Sequence, residues 1–202
     1  MVNGGASCDT VTFQTGETDF STIMANIKAE GYDGIFAPVS IETAPLIINQ
    51  ARENGVDCQI MAGDTWDDIS IAERAGENAN GVFSAFFDAS DTSNEAGVEF
   101  VKGFREYVAA DSTRIENNGG TSEAISSVTP CGYDAYMAAY NALLKAQSLD
   151  GEAIRDALAG LEVEGLVTGD LKFDENGDAI KNYVAIKTFK DGEIVFSDAY
   201  VG

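Results

Sequence analysis

The sequence predicts an α/β fold in which a mainly parallel sheet is flanked by helices. Short apolar runs alternate with longer amphipathic segments through the first half of the chain, a pattern typical of strands connected by helices. Two successive strands of this kind, at residues 34–37 and 58–62, each end in a polar turn, at residues 37–40 and 62–68. Because ligands of open α/β sheets bind beyond the carboxyl ends of the strands, these turns predict a pocket.

The elements of the first half follow from spacing. Short apolar or alternating runs predict strands at residues 10–13, 34–37, 58–62 and 81–87. The strand at 34–37 is expected to be buried and to stop at Pro38. Apolar residues at a period near 3.6 predict helices at residues 19–31, 41–55 and 67–75. Asp19 is the expected N-cap of the first helix, and Gly31 is expected to end it.

The second half begins with a loop of small polar residues at 88–94. Helices are predicted at residues 95–110, 133–146 and 150–161, and strands at residues 168–173, 183–189 and 193–199. A polar, glycine-containing stretch at 114–127 is expected to be a long loop. Asp191-Gly192 between two alternating apolar runs predicts a terminal β-hairpin.

The charge of the chain excludes some functions. Its 202 residues include 34 acidic and 12 basic side chains, which gives a formal net charge of −22. This balance argues against nucleic-acid binding, which needs clustered Lys and Arg, and against docking on an anionic membrane. A solvated acidic surface is favoured over an acidic recognition surface.

Catalytic chemistry and bound cofactors are also disfavoured. The chain has no histidine, which removes Ser-His-Asp and Cys-His arrangements and His-bearing zinc sites, and it has no phosphate-binding glycine loop. The three cysteines lack CxxC spacing, and because their number is odd at least one is free or paired between chains. Cys58 lies in an apolar run and is expected to be a buried free thiol. We therefore expect no catalytic residue, no metal and no cofactor.

Short segments that carry a family resemblance are spread over nearly the whole chain. They are Asp19-Phe20-Ser21, Asp33-Gly34-Ile35-Phe36, the segment 50–55, Gly63-Asp64-Thr65-Trp66-Asp67, the segment 76–82, Gly132-Tyr133-Asp134-Ala135-Tyr136 and the segment 169–178. In this order they resemble the extracytoplasmic substrate-binding proteins of branched-chain amino-acid ABC transporters, which are type I periplasmic binding proteins.

The resemblance implies parts of two Rossmann-like lobes that close around a ligand. Residues 1–87 would form part of the second lobe without its first strand and helix, residues 88–183 would return to the first lobe, and the hairpin 184–202 would lean back on the second. The chain is accordingly expected to be a C-terminal fragment, with exposed apolar edges that favour a homodimer.

The function implied by the resemblance is solute binding without catalysis. The chain would bind a small amino acid of the branched-chain type, or a related amide, in an interlobe cleft. It would act outside the cytoplasm and deliver the ligand to the membrane permease of an ABC transporter. The alternative is the ligand-sensing ectodomain of a receptor with the same fold. The chain itself carries no recognisable signal sequence.

The resemblance also implies site residues. Asp64 falls where the family places the acid that holds a ligand's ammonium group, and Ser40 falls where many members carry an aromatic contact. Ile41, Trp66 and Val128 are expected to border the same cleft. The residues alone leave simpler roles open: Asp64 as a loop acid or helix cap, Ser40 as an N-cap, and Trp66 as packing.

Overall fold

The computed structural model describes residues 7–201, which form two units. Unit 1 contains the described residues up to Val82 together with Phe189–Ile194. Unit 2 contains Phe83–Thr188 and the described residues from Val195 on. The predicted assignment of ranges of the chain to two lobes stays a prediction.

The helices of the described chain are α1 (Ser21–Glu30), α2 (Ala44–Glu53), α3 (Ile69–Ala75), α4 (Glu95–Ala109), α5 (Ser112–Asn117), α6 (Val128–Ala146) and α7 (Gly151–Ala159). The strands are β1 (Gly34–Phe36), β2 (Gln59–Ala62), β3 (Val82–Ala85), β4 (Glu162–Val163), β5 (Leu171–Phe173), β6 (Ala179–Lys181), β7 (Tyr183–Lys190) and β8 (Glu193–Val201). Single 3₁₀ turns lie at Asp64–Trp66 and Gly76–Asn78.

The strands form a larger sheet of order β1-β2-β3-β7-β8 and a smaller sheet of order β4-β5-β6. β1 and β2 are parallel, with Gly34 opposite Gln59 and Phe36 opposite Met61. β5 pairs antiparallel with both β4 and β6. Asp191 and Gly192 both have positive φ, of 53° and 80°, as the turn of the predicted β7–β8 hairpin requires.

Helix starts and stops in unit 1 follow from local chemistry. Gly31 ends α1 in the left-handed conformation at φ 71°, and its N–H donates to the carbonyl of Ile27. The Gln50 side chain on α2 joins the two helices, because its amide oxygen accepts from the Phe20 N–H and its amide nitrogen donates to the Thr18 carbonyl. α3 starts at Asp68, whose carboxylate accepts from the Ser70 N–H at 2.9 Å.

Four expectations drawn from the sequence are wrong in detail. Residues 10–13 form no strand and are exposed, because no neighbouring strand pairs with them in the described chain. β1 is not buried, since it is the edge strand of its sheet. The predicted loop 114–127 contains most of α5, which the Asp111 carboxylate caps by accepting from the N–H groups of Thr113 and Arg114. Cys58 is half-buried, although burial still raises the pKa of its thiol.

Trp66 is the largest fully buried side chain of unit 1. Its ring lies 6.2 Å from that of Phe189, centroid to centroid. A Cβ atom added to Gly81 would lie 2.8 Å from Cζ3 of this ring, which is closer than real Cβ contacts come. Glycine at position 81 therefore gives Trp66 the space to pack directly against the main chain.

Replacing Gly81 with alanine should destabilise the protein by about 1–3 kcal/mol, because the rigid Trp66 ring would have to move in a packed interior. Urea denaturation monitored by circular dichroism measures this loss. The matched control is Gly103→Ala in α4, where an added Cβ meets nothing within 4 Å. That change should raise stability by up to about 1 kcal/mol, since alanine favours helix over glycine. Equal effects of the two changes would contradict the proposed contact.

Buried polar groups hold together the elements of unit 2. The Asp134 carboxylate on α6 accepts from the N–H groups of Val167 and Thr168 and from the Thr168 hydroxyl, at 2.6–3.0 Å. In the loop 88–94, Asp91 accepts from the Tyr183 hydroxyl at 2.6 Å, and Asp88 forms an ion pair with Lys187 at 3.1 Å. Both contacts fix this loop to β7.

The pKa values of Asp91 and Tyr183 reflect their shared hydrogen bond. Burial acts to raise the pKa of the Asp91 carboxyl, but hydrogen bonds from the Tyr183 hydroxyl and from Ser93 outweigh it, and the pKa lies below its ordinary value. Burial, together with the bond to Asp91, raises the pKa of Tyr183. A lowered folded-state pKa means that Asp91 stabilises the fold above the unfolded-state value of about 3.9 and loses this effect as the pH falls through the folded-state value.

Tyr183→Phe should therefore lower stability by about 1.5–3 kcal/mol at pH 7, the cost of removing a hydrogen bond to a charged group. The difference from the parent protein should shrink as the pH falls from about 4 through the lowered folded-state pKa of Asp91, because the charge that accepts the Tyr183 hydrogen bond is then lost. Urea denaturation at pH 7 and pH 3 gives both differences. Tyr200→Phe, at an exposed tyrosine of β8, should have little effect at either pH. A Tyr183→Phe penalty that does not change with pH would contradict the assignment.

Candidate ligand site

The candidate site lies in unit 1, where β1 and β2 end. Because the two strands are parallel, their carboxyl ends lie at the same edge of the sheet. The pairing continues one residue further, with the Ala37 N–H donating to the Met61 carbonyl at 2.8 Å. The Thr65 hydroxyl then donates to the Val39 carbonyl at 3.2 Å, which joins the turn after β2 to the turn after β1. The structure thus brings the two predicted turns together.

The turn after β1 leads into α2 through Ser40. Its carbonyl accepts from the N–H groups of Thr43 and Ala44, both at 3.0 Å, and its exposed hydroxyl lies 3.2 Å from the Thr43 hydroxyl. The N–H of Glu42 and the Ser40 hydroxyl hydrogen-bond the Glu42 carboxylate and lower its pKa. Ser40 therefore joins the turn to the start of α2 through its carbonyl and keeps its side chain at the surface. It is not the N-cap that the simpler interpretation expects, because α2 begins at Ala44 and Thr43 is its N-cap.

Arg74 of α3 also binds the turn after β1. Its guanidinium donates to the carbonyls of Ile41 and Glu42, at 3.5 and 3.1 Å. These bonds fix the main chain around Ile41, whose side chain is half-buried. Sequence patterns do not predict this role, because Arg74 lies over thirty positions away and its partners are main-chain carbonyls, which leave no trace in residue type.

Asp64 is the first residue of the 3₁₀ turn that follows β2. Its carbonyl accepts from the Asp67 N–H at 3.0 Å, so its main chain is fixed. Its side chain is half-buried, and its carboxylate has no hydrogen-bond or ion-pair partner among residues 7–201. Asp68, by contrast, uses its carboxylate to cap α3. A fixed carboxylate with unused acceptor oxygens at a strand end can bind an ammonium group.

Trp66 and Val128 occupy different surroundings from Asp64. Trp66 is fully buried, and its packing against Gly81 and Phe189 supports the turn that carries Asp64. Val128 is the first residue of α6 in unit 2, where its side chain is exposed. Contact of either residue with a ligand stays a prediction. Thr65, to which the sequence assigned no role, is the residue that joins the two turns.

Three further properties of the described chain bear on the site. Cys8, Cys58 and Cys131 form no disulfide bond with one another in the described chain. Residues 7–201 contain no group of three or more carboxylate or thiol side chains placed to hold a metal ion. Within the same residues, no helix combines the length and the apolar composition needed to cross a lipid bilayer.

Comparison with known proteins gives a consistent family match. The family model described as "Periplasmic binding protein" matches residues 2–193. Leu/Ile/Val-binding protein homolog 1 of Brucella abortus (strain 2308) is 28% identical over 179 residues, which are 88% of this chain and 44% of that protein. The Leu/Ile/Val-binding protein of Escherichia coli (strain K12) is 34% identical over 67 residues, or 33% of this chain and 18% of that protein.

Solved structures share the fold. The leucine binding protein LivK from Thermotoga maritima superposes with a TM-score of 0.78 at 28% identity, over 95% of this chain and 51% of its own. LivJ from Streptococcus pneumoniae, a branched-chain amino acid transporter substrate binding protein in complex with isoleucine, gives a TM-score of 0.70 at 25% identity, over 94% of this chain and 50% of its own. The chain thus spans about half the length of the relatives that it matches.

These matches confirm the resemblance, the α/β fold class and the mainly parallel sheet with flanking helices. They also confirm that the chain is not an enzyme, because the family and its fold neighbours are substrate-binding proteins.

Proposed function

The chain belongs to the periplasmic binding protein family, and on that premise we propose that it is part of the solute-binding component of an ABC importer. The proposed ligand is a small amino acid of the branched-chain type or a related amide. Relatives named as Leu/Ile/Val-binding proteins and a neighbour structure that contains isoleucine support this ligand class. The proposal includes a location outside the cytoplasm and a membrane permease as the partner that receives the ligand.

Asp64 carries the proposal for the site. An amino acid has an ammonium group, and Asp64 offers a carboxylate without a partner in the described chain, fixed at the carboxyl end of β2. Charge-assisted hydrogen bonds of this kind are about twice as strong as neutral ones, and they gain further strength when a cleft closes and excludes water. Binding by closure of two lobes around the ligand would supply that exclusion.

The neighbours of Asp64 supply the remaining contacts of the proposed site. Ser40 presents an exposed hydroxyl at the same edge of the sheet, and Ile41 presents an apolar side chain held in place through Arg74. The Ser40 hydroxyl favours a ligand that has a polar atom at this edge of the sheet, and the proposed class therefore includes a related amide. Val128 is proposed to contribute an apolar contact, and Trp66, which is fully buried, is proposed to act by supporting the turn that carries Asp64.

Asp64→Asn should weaken the binding of leucine, isoleucine or valine by roughly 10- to 100-fold, the loss expected for one hydrogen bond to a charged group. Isothermal titration calorimetry of the protein with each amino acid and its amide measures this change. Asp57→Asn is the matched control, because Asp57 is an exposed aspartate shortly before the opposite end of β2.

A ligand without the ammonium group makes the experiment specific. 4-Methylpentanoate has the side chain and carboxylate of leucine but no ammonium group. It should bind the parent protein more weakly than leucine does, and Asp64→Asn should not weaken its binding further. An equal loss for leucine and 4-methylpentanoate would assign Asp64 a purely structural role. If no amino acid or amide binds the parent protein, the proposed ligand class is wrong.

A further inference from the structure

The turn after β1 is held by hydrogen bonds more than by packing. Ala37 and Ala44 are buried, but residues 38–43 between them are each exposed or half-buried. Thr43, the N-cap residue of α2, makes no capping bond through its side chain within the described chain. A segment with so little buried surface opens locally at low cost unless other bonds restrain it. The position of the Ile41 side chain therefore depends on how its main chain is fixed.

Two carbonyls of this turn lack the donors that a helix would supply. In a continuous helix the Ile41 carbonyl would accept from the N–H of residue 45, but Pro45 has no N–H. The Glu42 carbonyl would accept from the N–H of Leu46, which donates instead to the next carbonyl along the chain, at 3.1 Å. Among residues 7–201, no main-chain N–H bonds either carbonyl. The guanidinium of Arg74 supplies both missing donors.

Arginine suits this role because its planar guanidinium presents several N–H donors in a fixed geometry. Nη1 of Arg74 bonds the Ile41 carbonyl, and Nη2 bonds the Glu42 carbonyl, so that one rigid group holds two successive peptide units. A lysine ammonium offers no such fork and would bond one of the two carbonyls at most. The contact therefore depends on the shape of the Arg74 head group as well as on its charge.

Two asparagines fix the main chain of Arg74. The Asn49 side chain on α2 donates to the Arg74 carbonyl at 3.3 Å, and the Asn78 side chain donates to the Asn49 amide oxygen at 2.9 Å. The Arg74 carbonyl is among the last four of α3, which have no donor within their own helix. Asn49 therefore completes the end of α3 and ties it to α2, the helix that the turn after β1 leads into.

We infer that Arg74 is a positioning residue that sets how tightly the site binds the side chain of its ligand, acting through the main chain of Ile41. This role rests on the proposed function, because it takes Ile41 as a residue that contacts the ligand. It adds a determinant of affinity that does not itself touch the ligand. Asp64 and Arg74 then act on different parts of the ligand, since Asp64 binds the ammonium group and Arg74 governs the contact with the side chain.

Isothermal titration calorimetry with leucine and 4-methylpentanoate separates the two contributions. Arg74→Ala should weaken the binding of both ligands by about 3- to 10-fold, because they share the side chain that Ile41 contacts. Asp64→Asn should weaken the binding of leucine alone. Arg52→Ala is the matched control, because Arg52 also donates to two main-chain carbonyls, those of Val56 and Cys58, but before the start of β2. It should leave both affinities unchanged.

A double-mutant cycle shows whether Arg74 acts through Ile41. Ile41→Ala should itself weaken the binding of leucine. In that background Arg74→Ala should cost less than about a further twofold, because the side chain that Arg74 positions is already removed. Arg74→Lys should not restore the full affinity, since an ammonium bonds one carbonyl at most. Full additivity of the two alanine substitutions, or full recovery with lysine, overturns the inference.

Hydrogen–deuterium exchange of the ligand-free protein measures the restraint directly. Arg74→Ala should raise the exchange rates of the Thr43 and Ala44 N–H groups about fivefold, because their bonds to the Ser40 carbonyl then open more often. Arg52→Ala should leave these rates unchanged, and unchanged rates in Arg74→Ala overturn the inference. If leucine binds and Asp64→Asn weakens its binding while Arg74→Ala does not, the inference alone fails. If the parent protein binds no amino acid, the proposed function fails and the inference fails with it.

Discussion

The parallel pairing of β1 and β2 is the constraint on which the candidate site depends. It sets both carboxyl ends at one edge of the sheet, and the bond from Ala37 to Met61 extends the pairing into the turns. The bond from Thr65 to Val39 then fixes one turn against the other. Ser40 and Asp64 are 24 positions apart in sequence and share a surface only because of this register. A one-residue slip would turn each side chain of β2 to the opposite face.

Rigid packing of the turn allows Asp64 to keep a carboxylate that has no partner among residues 7–201. Trp66 anchors the 3₁₀ turn in the interior, and Gly81 leaves room for its ring. Burying a side chain of this size contributes several kcal/mol, which is comparable to the entropy cost of ordering a short turn. Asp64 therefore need not bond to its own turn to hold its position, in contrast to Asp68, whose carboxylate caps α3. In this turn the residue that packs in the interior, Trp66, is separate from the candidate ligand-binding residue, Asp64.

Sequence reasoning predicted those parts of the fold that local periodicity determines. The apolar spacing around Met24, the stop at Gly31 and the Asp-Gly turn each depend on a few adjacent residues, and the structure has all three. It failed where the result depends on distant partners. Residues 10–13 alternate like a strand but have no strand to pair with among residues 7–201, and β1 is exposed because it lies at an edge. Strand ends predicted the position of the candidate site, whereas the lack of a partner for Asp64 in the described chain and the role of Arg74 are three-dimensional facts.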